Sequence, residues 1–269
     1  MPLNRPEDIR FYTHPWEGER FPNGRPRVPD EILERMQRVT TEEAWGTMRR
    51  HGYQRQFAGD WMNVHPDRIL VGRAVTAQFV PQRPDIHDAI ARWGEAHGGI
   101  GGQNSWVIDT LEQGDVVVVD LFGKIEDGTY AGDNLGTAIA NRTGTGMVID
   151  GGLRDMQRLS QLPEIAIFCR GVDPSAILNT TLVGLNNPIR IGKATVLPGD
   201  VVLGTPTGVS FIPPHLAEEV VVSSERVRLR DEFGQMRIRE GAYTPGEVDR
   251  KWSEEMEADF AQWREQAGR

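Results

Sequence analysis

Cysteine is almost absent from this chain of 269 residues, since Cys169 is the only one. A single cysteine excludes an intramolecular disulfide and a metal site built from several thiolates. This usage fits a reducing compartment, so we expect a cytoplasmic protein. Cys169 lies inside an apolar run, which favours a buried and inert thiol.

Long hydrophobic runs are also missing. No apolar stretch approaches the roughly 20 residues needed to span a bilayer. The N-terminal segment MPLNRPEDIRFYTH is charged, broken by proline and without the apolar core of a signal peptide. We therefore expect a protein with no membrane segment.

Positive charge is scarce relative to negative charge, and the formal net charge is -9. Nucleic-acid binding depends on clustered Lys and Arg, so this balance argues against nucleic acid as a partner. Small anions bound in a local positive pocket are the favoured ligands. The six histidines never occur at metal-ligand spacing, which argues against a zinc site. Of these, His87 is either a surface residue or a group in a loop near the site.

Strand and helix patterns alternate through the middle of the chain. The segments RILVGRAVTAQFV (68–80), VVVVDLFG (116–123), MVIDG (147–151) and EIAIFCRG (164–171) are typical of buried strands. Helical patterns at 85–97 and 134–142 lie between them. Such alternation predicts the α/β class. Beyond Gly171, short strands broken by Gly and Pro predict a second sheet or a barrel-like half.

The two ends of the chain differ in their residue patterns. Residues 1–29 contain six prolines and no periodicity, so we predict an N-terminal arm that is either disordered or extended over the surface or over a neighbouring subunit. The segment 30–243 is predicted to form one main domain, which begins with a helical hairpin whose second helix is capped by Thr40 or Thr41. Residues 244–269 are predicted to form a C-terminal helix over 244–266. Its apolar stripe is either core or a contact with another subunit: Trp252, Met256, Phe260 and Trp263.

The stretch from Gly128 to Asp155, GTYAGDNLGTAIANRTGTGMVIDGGLRD, carries the most chemical information. Asp133 stands at the start of a helix, where free N–H groups and the positive helix end can hold a carboxylate. The strand that follows ends at Arg154 and Asp155. An arginine fork binds carboxylates, and an aspartate offers hard oxygen to Mg²⁺ or Mn²⁺. A capping aspartate and a surface ion pair are the structural alternatives.

The spacing Asp-x20-Arg-Asp, in the context GDNLGTAIA…GMVIDGGLRD, resembles the signature of the class II pyruvate aldolases. That family is typified by 4-hydroxy-4-methyl-2-oxoglutarate/4-carboxy-4-hydroxy-2-oxoadipate aldolase and includes the regulator of ribonuclease activity A. The resemblance runs from about residue 115 to 214, through FCRGVDP and PGDVVLGTPTGVSFIPP. It is weaker over residues 30–80.

The resemblance implies a three-layer β/β/α sandwich of the swivelling-domain kind, here with helical N- and C-terminal arms. It also implies a homotrimer or homohexamer. Asp155 would be the ligand of Mg²⁺ (or Mn²⁺), with water completing the coordination. Arg154 would bind the pyruvyl oxygens and stabilise the enolate, and Asp133 would orient or deprotonate a water on the metal. The pyruvate carboxylate would bind the backbone amides of Asn134, Leu135 and Gly136.

The chain departs from the family pattern at several positions. Arg158 stands where many relatives carry an acid, and TPTG at 205–208 replaces a more acidic turn. In some relatives a neighbouring subunit supplies an acidic residue, for which Glu218 and Glu219 are the candidates here. These differences bear on the substrate and the metal more than on the reaction.

Enolate chemistry agrees with these residues, because cleaving a C–C bond beside a 2-oxo acid leaves a carbanion that a metal and an arginine can stabilise. Lys124 is the only lysine near the site, and no Schiff base is required. The leading hypothesis is a metal-dependent lyase that cleaves a 4-hydroxy-2-oxo acid or decarboxylates oxaloacetate. The alternatives are a non-catalytic ring-shaped regulator of a ribonuclease and a hydratase or isomerase of sugar-derived acids.

Overall fold

The computed structural model describes residues 5–162, 164–266 and 268. The helices are α1 Pro6–Tyr12, α2 Asp30–Met36, α3 Thr41–Arg50, α4 Pro84–Ala96, α5 Gln103–Ile108, α6 Asp133–Thr143, α7 Met156–Leu159, α8 Ala217–Arg239, α9 Pro245–Val248 and α10 Glu254–Gln266. The strands are β1 Phe57–Ala58, β2 Met62–Asn63, β3 Leu70–Pro81, β4 Asp115–Asp120, β5 Gly146–Leu153, β6 Ala166–Val172, β7 Thr180–Leu185, β8 Ile189–Ile191, β9 Ala194–Val196, β10 Val201–Thr205 and β11 Gly208–Ile212.

A large mixed sheet organises the fold. Within the described residues its order is β1-β11-β10-β3-β4-β5-β6-β2, and β7 pairs with the second half of β3. The four central strands β3, β4, β5 and β6 are parallel, and the flanking strands are antiparallel. Parallel neighbours need a crossover, and α6 supplies the one between β4 and β5. The predicted βα alternation is therefore confirmed.

The sheet is the middle of three layers. On the face of the sheet that the helices cover, Val117 and Val119 of β4 belong to the same buried cluster as Ile139 of α6. The alternate residues Val116 and Val118 pack on the other side, against the hairpin β8–β9. A strand covered on both faces needs an unbroken apolar run, which VVVV provides. The fold is thus the predicted α/β class with a β/β/α arrangement and helices at both ends of the chain.

The N-terminal arm is fixed to this body rather than loose where it is described. Arg25 donates two hydrogen bonds to Asp115 at the start of β4, 2.8 and 3.0 Å long, and both side chains are fully buried. Arg73 donates to the carbonyl of Val28 and pairs with Asp30. The arm also includes the short helix α1. The disordered alternative is therefore wrong for residues 5–29, and residues 1–4 lie outside the described part.

The predicted helical hairpin is present. Ile32, Leu33 and Met36 of α2 are buried, and Thr40 caps α3. Its hydroxyl accepts a hydrogen bond from the amide of Glu43 at 3.2 Å, and the Glu43 carboxylate accepts one from the amide of Thr40 at 2.8 Å. This reciprocal pair satisfies two amides that a helix start leaves free.

The longest helix, α8, was not predicted. Its apolar residues do not form one stripe, because Val220 and Val221 pack against α2 and α3 while Phe233 packs against α10. A split burial of this kind weakens helical periodicity. Although α8 has 23 residues, neither it nor any other described helix is long and apolar enough to cross a membrane.

The prediction of one continuous helix over 244–266 is wrong. Thr244 and Glu247 form a capping box that starts the short α9, and α10 begins only at Glu254, so 249–253 are not helical. The aromatic stripe packs within the chain around Phe233, which supports the core interpretation: Trp252, Met256, Phe260 and Trp263. Residues 267 and 269 lie outside the described part.

Residues beyond Gly171 only partly form the second sheet that their texture predicted. The hairpin β8–β9 is separate, whereas β10 and β11 extend the main sheet: β10 pairs with β3, and β11 pairs with β10. The TPTG turn joins β10 to β11, and the hydroxyls of Thr205 and Thr207 bond that of Thr41. Strand pairing partners cannot be read from local composition.

Candidate functional site

The end of β5 meets the start of α6 at one edge of the sheet. Arg154 follows β5 directly, and its amide donates to the carbonyl of Ala131 at 3.1 Å, which ties the strand end to the loop before α6. The amide of Asp133 lies 3.4 Å from Oδ2 of Asp155, and Nε of Arg154 lies 3.5 Å from the same oxygen. The crossover therefore brings Asp133, Arg154 and Asp155 together, as the spacing predicted. Their chemical roles stay predictions.

Gly132 leaves the space in which these groups meet. A Cβ built at this position would lie 2.2 Å from Oδ2 of Asp155 and 3.0 Å from Nε of Arg154. Both distances are shorter than an ordinary van der Waals contact. The backbone of Gly132 has φ -120°, which any residue adopts, so the glycine is required by space and not by conformation.

Asp155 has a left-handed backbone conformation, with φ 56°. Few residues other than glycine adopt it, because the Cβ crowds the backbone. The conformation turns the chain from β5 into the short helix α7, which carries Arg158. Such locally costly geometry concentrates at sites where a side chain must be aimed.

Arg158 forms an ion pair with Asp133, with 2.5 Å between Nη1 and Oδ2. Hydrogen bonding from Arg158, followed by that from the amide of Asn134, lowers the pKa of Asp133 below its ordinary value. Asp133 is therefore a carboxylate at neutral pH. The Arg158 side chain is 75% exposed, so solvent screens this pair and a competing anion can reach the guanidinium.

The amides at the start of α6 are not equally free. The amide of Asn134 donates to Oδ1 of Asp133 at 2.8 Å, and the amide of Gly136 donates to the carbonyl of Gly132 at 2.8 Å. No acceptor for the amide of Leu135 is found among the described residues. Of the three amides expected to hold a carboxylate, that of Leu135 is the one available without rearrangement.

A small cavity of about 90 Å³ lies between these elements. It is lined by Asn104, Thr129, Tyr130, Ala131, Gly132, Asp133, Asn134, Leu135, Arg154, Ala176 and Ile177. Asn104 is buried, and its Nδ2 donates to the carbonyl of Tyr130 at 2.7 Å. Sequence reasoning did not single out this residue, which is the last of the glycine-rich segment GGIGGQN (98–104).

The residues present fit a hydrated magnesium ion better than an enclosed metal site. Among the described residues, no group of three or more His, Cys, Asp and Glu side chains converges. Asp155 contributes a half-exposed carboxylate, and its Oδ1 has no hydrogen-bond partner in the part of the chain that is described. One carboxylate with several waters is a common way for proteins to hold Mg²⁺, and zinc requires more protein ligands.

Other residues weighed in the sequence lie apart from this cavity. Burial raises the pKa of the Cys169 thiol to about 11, as expected of an inert thiol. Lys124 donates to the carbonyl of Leu178 at 3.1 Å. Glu219 pairs with His51 at 2.9 Å on the outside of α8, and it does not line the cavity within this chain.

The comparisons with known proteins agree with the fold and with the motif. A family model described as RraA-like, Aldolase/RraA, matches residues 39–210. The chain therefore belongs to the Aldolase/RraA family, and the resemblance drawn from the motif is confirmed. The match omits the N-terminal arm and the helices from α8 onward.

Individual relatives make the family assignment more concrete. A protein of Halalkalibacterium halodurans named "Putative 4-hydroxy-4-methyl-2-oxoglutarate aldolase" is 34% identical over 141 residues, which are 51% of this chain and 66% of that protein. The chain thus covers just under two thirds of this relative.

Two solved structures share the fold. Streptomyces coelicolor RraAS2, described as an unusual member of the RNase ES inhibitor RraA protein family, is 27% identical with TM-score 0.68, covering 79% of this chain and 98% of that one. An uncharacterized protein from Pseudomonas syringae is 23% identical with TM-score 0.68, covering 86% and 98% of the two chains.

Proposed function

We propose that this protein is a divalent-metal-dependent lyase that acts on a 2-oxo acid through a pyruvate enolate. The observation that carries the proposal is the meeting of Asp133, Arg154 and Asp155 beside Gly132, at the edge of the sheet where β5 ends. The 34% identical relative named as an aldolase supports the same class of reaction. We further propose that the chain works as a trimer or hexamer.

Retro-aldol cleavage requires few groups. The C4 hydroxyl of a 4-hydroxy-2-oxo acid loses its proton, the C3–C4 bond breaks, and the electron pair becomes the enolate of pyruvate. Protonation at C3 then gives pyruvate, and the other product is an aldehyde or ketone. In oxaloacetate, the same bond breaks with loss of carbon dioxide. Neither reaction needs an oxidant or a reductant.

Binding of the pyruvyl unit falls to Arg154 and to the start of α6. The Arg154 guanidinium offers a planar pair of donors to the carboxylate or to the developing enolate oxygen. The free amide of Leu135, with the positive end of α6, favours a bound carboxylate. Asp155 would hold a Mg²⁺ or Mn²⁺ ion, which would supply positive charge that stabilises the enolate.

Asp133 is the group that carries the proton in this proposal. Its lowered pKa keeps it ionised, so it accepts the C4 hydroxyl proton directly or through a water and returns a proton to C3. Arg158 holds one of its oxygens in the unliganded site. Oδ2 of Asp133 therefore becomes available as a proton acceptor when Arg158 moves away or shares its N–H donors with another group.

The test is an assay of pyruvate release from a panel of 4-hydroxy-2-oxo acids and oxaloacetate, with Mg²⁺ and with EDTA. We expect turnover with Mg²⁺ that EDTA abolishes and that Asp155→Ala lowers by at least a hundredfold. Asp88→Ala on the exposed face of α4 is the control and is expected to keep full activity. A folded, Mg²⁺-saturated protein that turns over no member of the panel would contradict the proposal.

A second candidate function is regulation of a ribonuclease without catalysis. Streptomyces coelicolor RraAS2, which shares the fold at 27% identity, is described as a member of a family of RNase ES inhibitors. A stoichiometric complex with a ribonuclease, formed equally by the wild type and by Asp155→Ala, would favour this function. Loss of turnover in the same variant would identify the lyase.

A further inference from the structure

A larger cavity adjoins the candidate site and is not used by the pyruvyl unit. Its volume is about 560 Å³, and it shares Asn104 and Ile177 with the small cavity of about 90 Å³. The small cavity has about a sixth of the volume of the larger one. The part of the substrate beyond the cleaved bond therefore has the larger cavity next to it.

The larger cavity is polar but carries little charge. Among its lining residues, Glu95 of α4 has the only carboxylate, and neither arginine nor lysine lines it. Lys124 is not a lining residue, although its Nζ donates to the carbonyl of Leu178, which lines the cavity. A second carboxylate in this cavity would lack a cation and would face Glu95, which disfavours it.

Apart from His87, amide and hydroxyl groups supply the remaining polar side chains of the lining, namely Gln82, Gln103, Asn104, Asn179 and Thr180. Oε1 of Gln103 accepts from the amide of Leu182 at 2.7 Å, which leaves its NH₂ group as a donor. The side chains of Gln82 and Asn179 are exposed and able to donate and accept. A hydroxyl group on a ligand both donates and accepts hydrogen bonds, and these amide side chains offer donors and acceptors.

His87 lines the larger cavity and is held in place by a hydrogen bond. Nδ1 of His87 lies 3.0 Å from Oγ1 of Thr181, which fixes the ring and leaves Nε2 for a ligand. Trp106 and Phe79 provide apolar surface against which the carbon chain of a ligand packs. The combination of flat apolar surface with neutral donors and acceptors is typical of sites for hydroxylated chains.

We propose that the distal part of the substrate is an uncharged, hydroxyl-rich chain bound in this cavity, so the substrate is a 2-oxo acid derived from a sugar acid and not one with a second carboxylate. The inference rests on the proposed lyase function and adds the class of substrate. Cleavage then releases pyruvate and a polyhydroxylated aldehyde.

A first measurement separates the inference from the proposed function. Pyruvate alone, in D₂O with Mg²⁺, should exchange its methyl protons for deuterium if the site forms the enolate, and NMR reads this without any distal group. Absence of exchange together with absence of turnover overturns both the function and the inference. Exchange without cleavage of the hydroxylated substrate overturns the inference alone.

The second measurement compares kcat/KM for two 4-hydroxy-2-oxo acids at pH 8, where histidine side chains are ordinarily neutral. One carries a trihydroxypropyl distal chain and the other a distal carboxylate, as in 4-hydroxy-2-oxoglutarate. We expect at least a tenfold preference for the hydroxylated compound. Equal values, or a preference for the dicarboxylate, would overturn the inference.

Two variants connect the preference to the cavity. Glu95→Gln should raise kcat/KM for the dicarboxylate about twofold to fivefold, a modest gain because Glu95 is exposed and screened. Gln82→Ala should lower kcat/KM for the hydroxylated compound about threefold to tenfold, as the loss of a hydrogen bond does. Asp88→Asn, on the same helix but outside the cavity, is the matched control. Variants that change both substrates equally, or no more than the control, would refute the role of the cavity.

Discussion

Substitution of Gly132 by alanine tests the site with the smallest possible change. The added methyl would lie 2.2 Å from Oδ2 of Asp155, whereas ordinary contacts begin at 3.4 Å. The carboxylate must therefore retreat by about 1.2 Å, and Nε of Arg154 is crowded at 3.0 Å. Misplacing a reacting group by about 1 Å costs roughly a hundredfold in rate. We expect kcat/KM to fall about a hundredfold.

The fold should survive this change. Gly132 has an ordinary extended backbone, so alanine adds no backbone strain, and the weaker helix cap costs about 1 kcal/mol. Gly46→Ala is the matched control, because apart from its chain neighbours and the backbone of its own helix no atom lies within 4 Å of its added Cβ. Since Gly46 lies inside α3, its replacement should stabilise the protein by about 0.5 to 1 kcal/mol and leave activity unchanged.

The assay combines pyruvate release, calorimetric titration with Mg²⁺ and urea unfolding of both variants. We expect weaker Mg²⁺ binding and slow turnover for Gly132→Ala, with a cooperative unfolding transition near that of the wild type. If Gly132→Ala binds Mg²⁺ normally and keeps kcat/KM within threefold of the wild type, the contact between Gly132 and Asp155 has no part in catalysis.

Three further predictions follow from other contacts. Arg158→Gln removes the main cause of the lowered pKa of Asp133, so the pKa of Asp133 should rise. The acid limb of the pH profile of kcat/KM should then move to higher pH. An unchanged profile would show that Asp133 is not the titrating group. Asp200 is fully buried, and burial raises its pKa to about 8 from 3.8, so the native state holds a proton that the unfolded state releases. The free energy of unfolding of the wild type should therefore fall by at most about 1.4 kcal/mol per pH unit between about pH 4 and pH 8. Asp200→Asn should remove this dependence on pH in urea titrations. If the wild type and the variant depend on pH equally, the buried Asp200 does not hold the proton. Arg25→Ala leaves the buried Asp115 without its arginine and should lower the free energy of unfolding by about 3 to 5 kcal/mol. The control Arg27→Ala, at an exposed ion pair, should lower it by at most about 1 kcal/mol. Equal losses in the two variants would refute the role of the buried pair.

Sequence reasoning succeeded where one local pattern determines the structure. The run VVVV predicted β4 because both faces of the strand are buried, and the pair Thr40 and Thr41 predicted the start of α3. The meeting of Asp133 with Arg154 followed from a crossover of one helix and one strand, which returns the chain to the same sheet edge. These inferences needed no knowledge of distant contacts.

The failures came from contacts between distant segments. The burial of α8 is divided between two clusters, so no single apolar stripe indicated this helix. The break at 249–253 lies inside a segment whose Trp252 packs on Phe233 of α8, far away in the sequence from the patterns that predict a helix. The ion pair between Arg158 and Asp133 depends on the left-handed turn at Asp155, which no residue type in the sequence demands. The larger cavity likewise arises from α4, α5 and the segment before β7 coming together.

The placement of β3 has a consequence for the way the chain acquires its structure. This strand borders β4 on one side, while its other side is covered by β10 along the first half and by β7 along the second. Both of those partners leave the ribosome about 100 residues or more after β3, so a long apolar edge stays uncovered for most of synthesis. Nascent chains interrupted before Thr180 should therefore aggregate through this edge, and chains that extend past Thr205 should not.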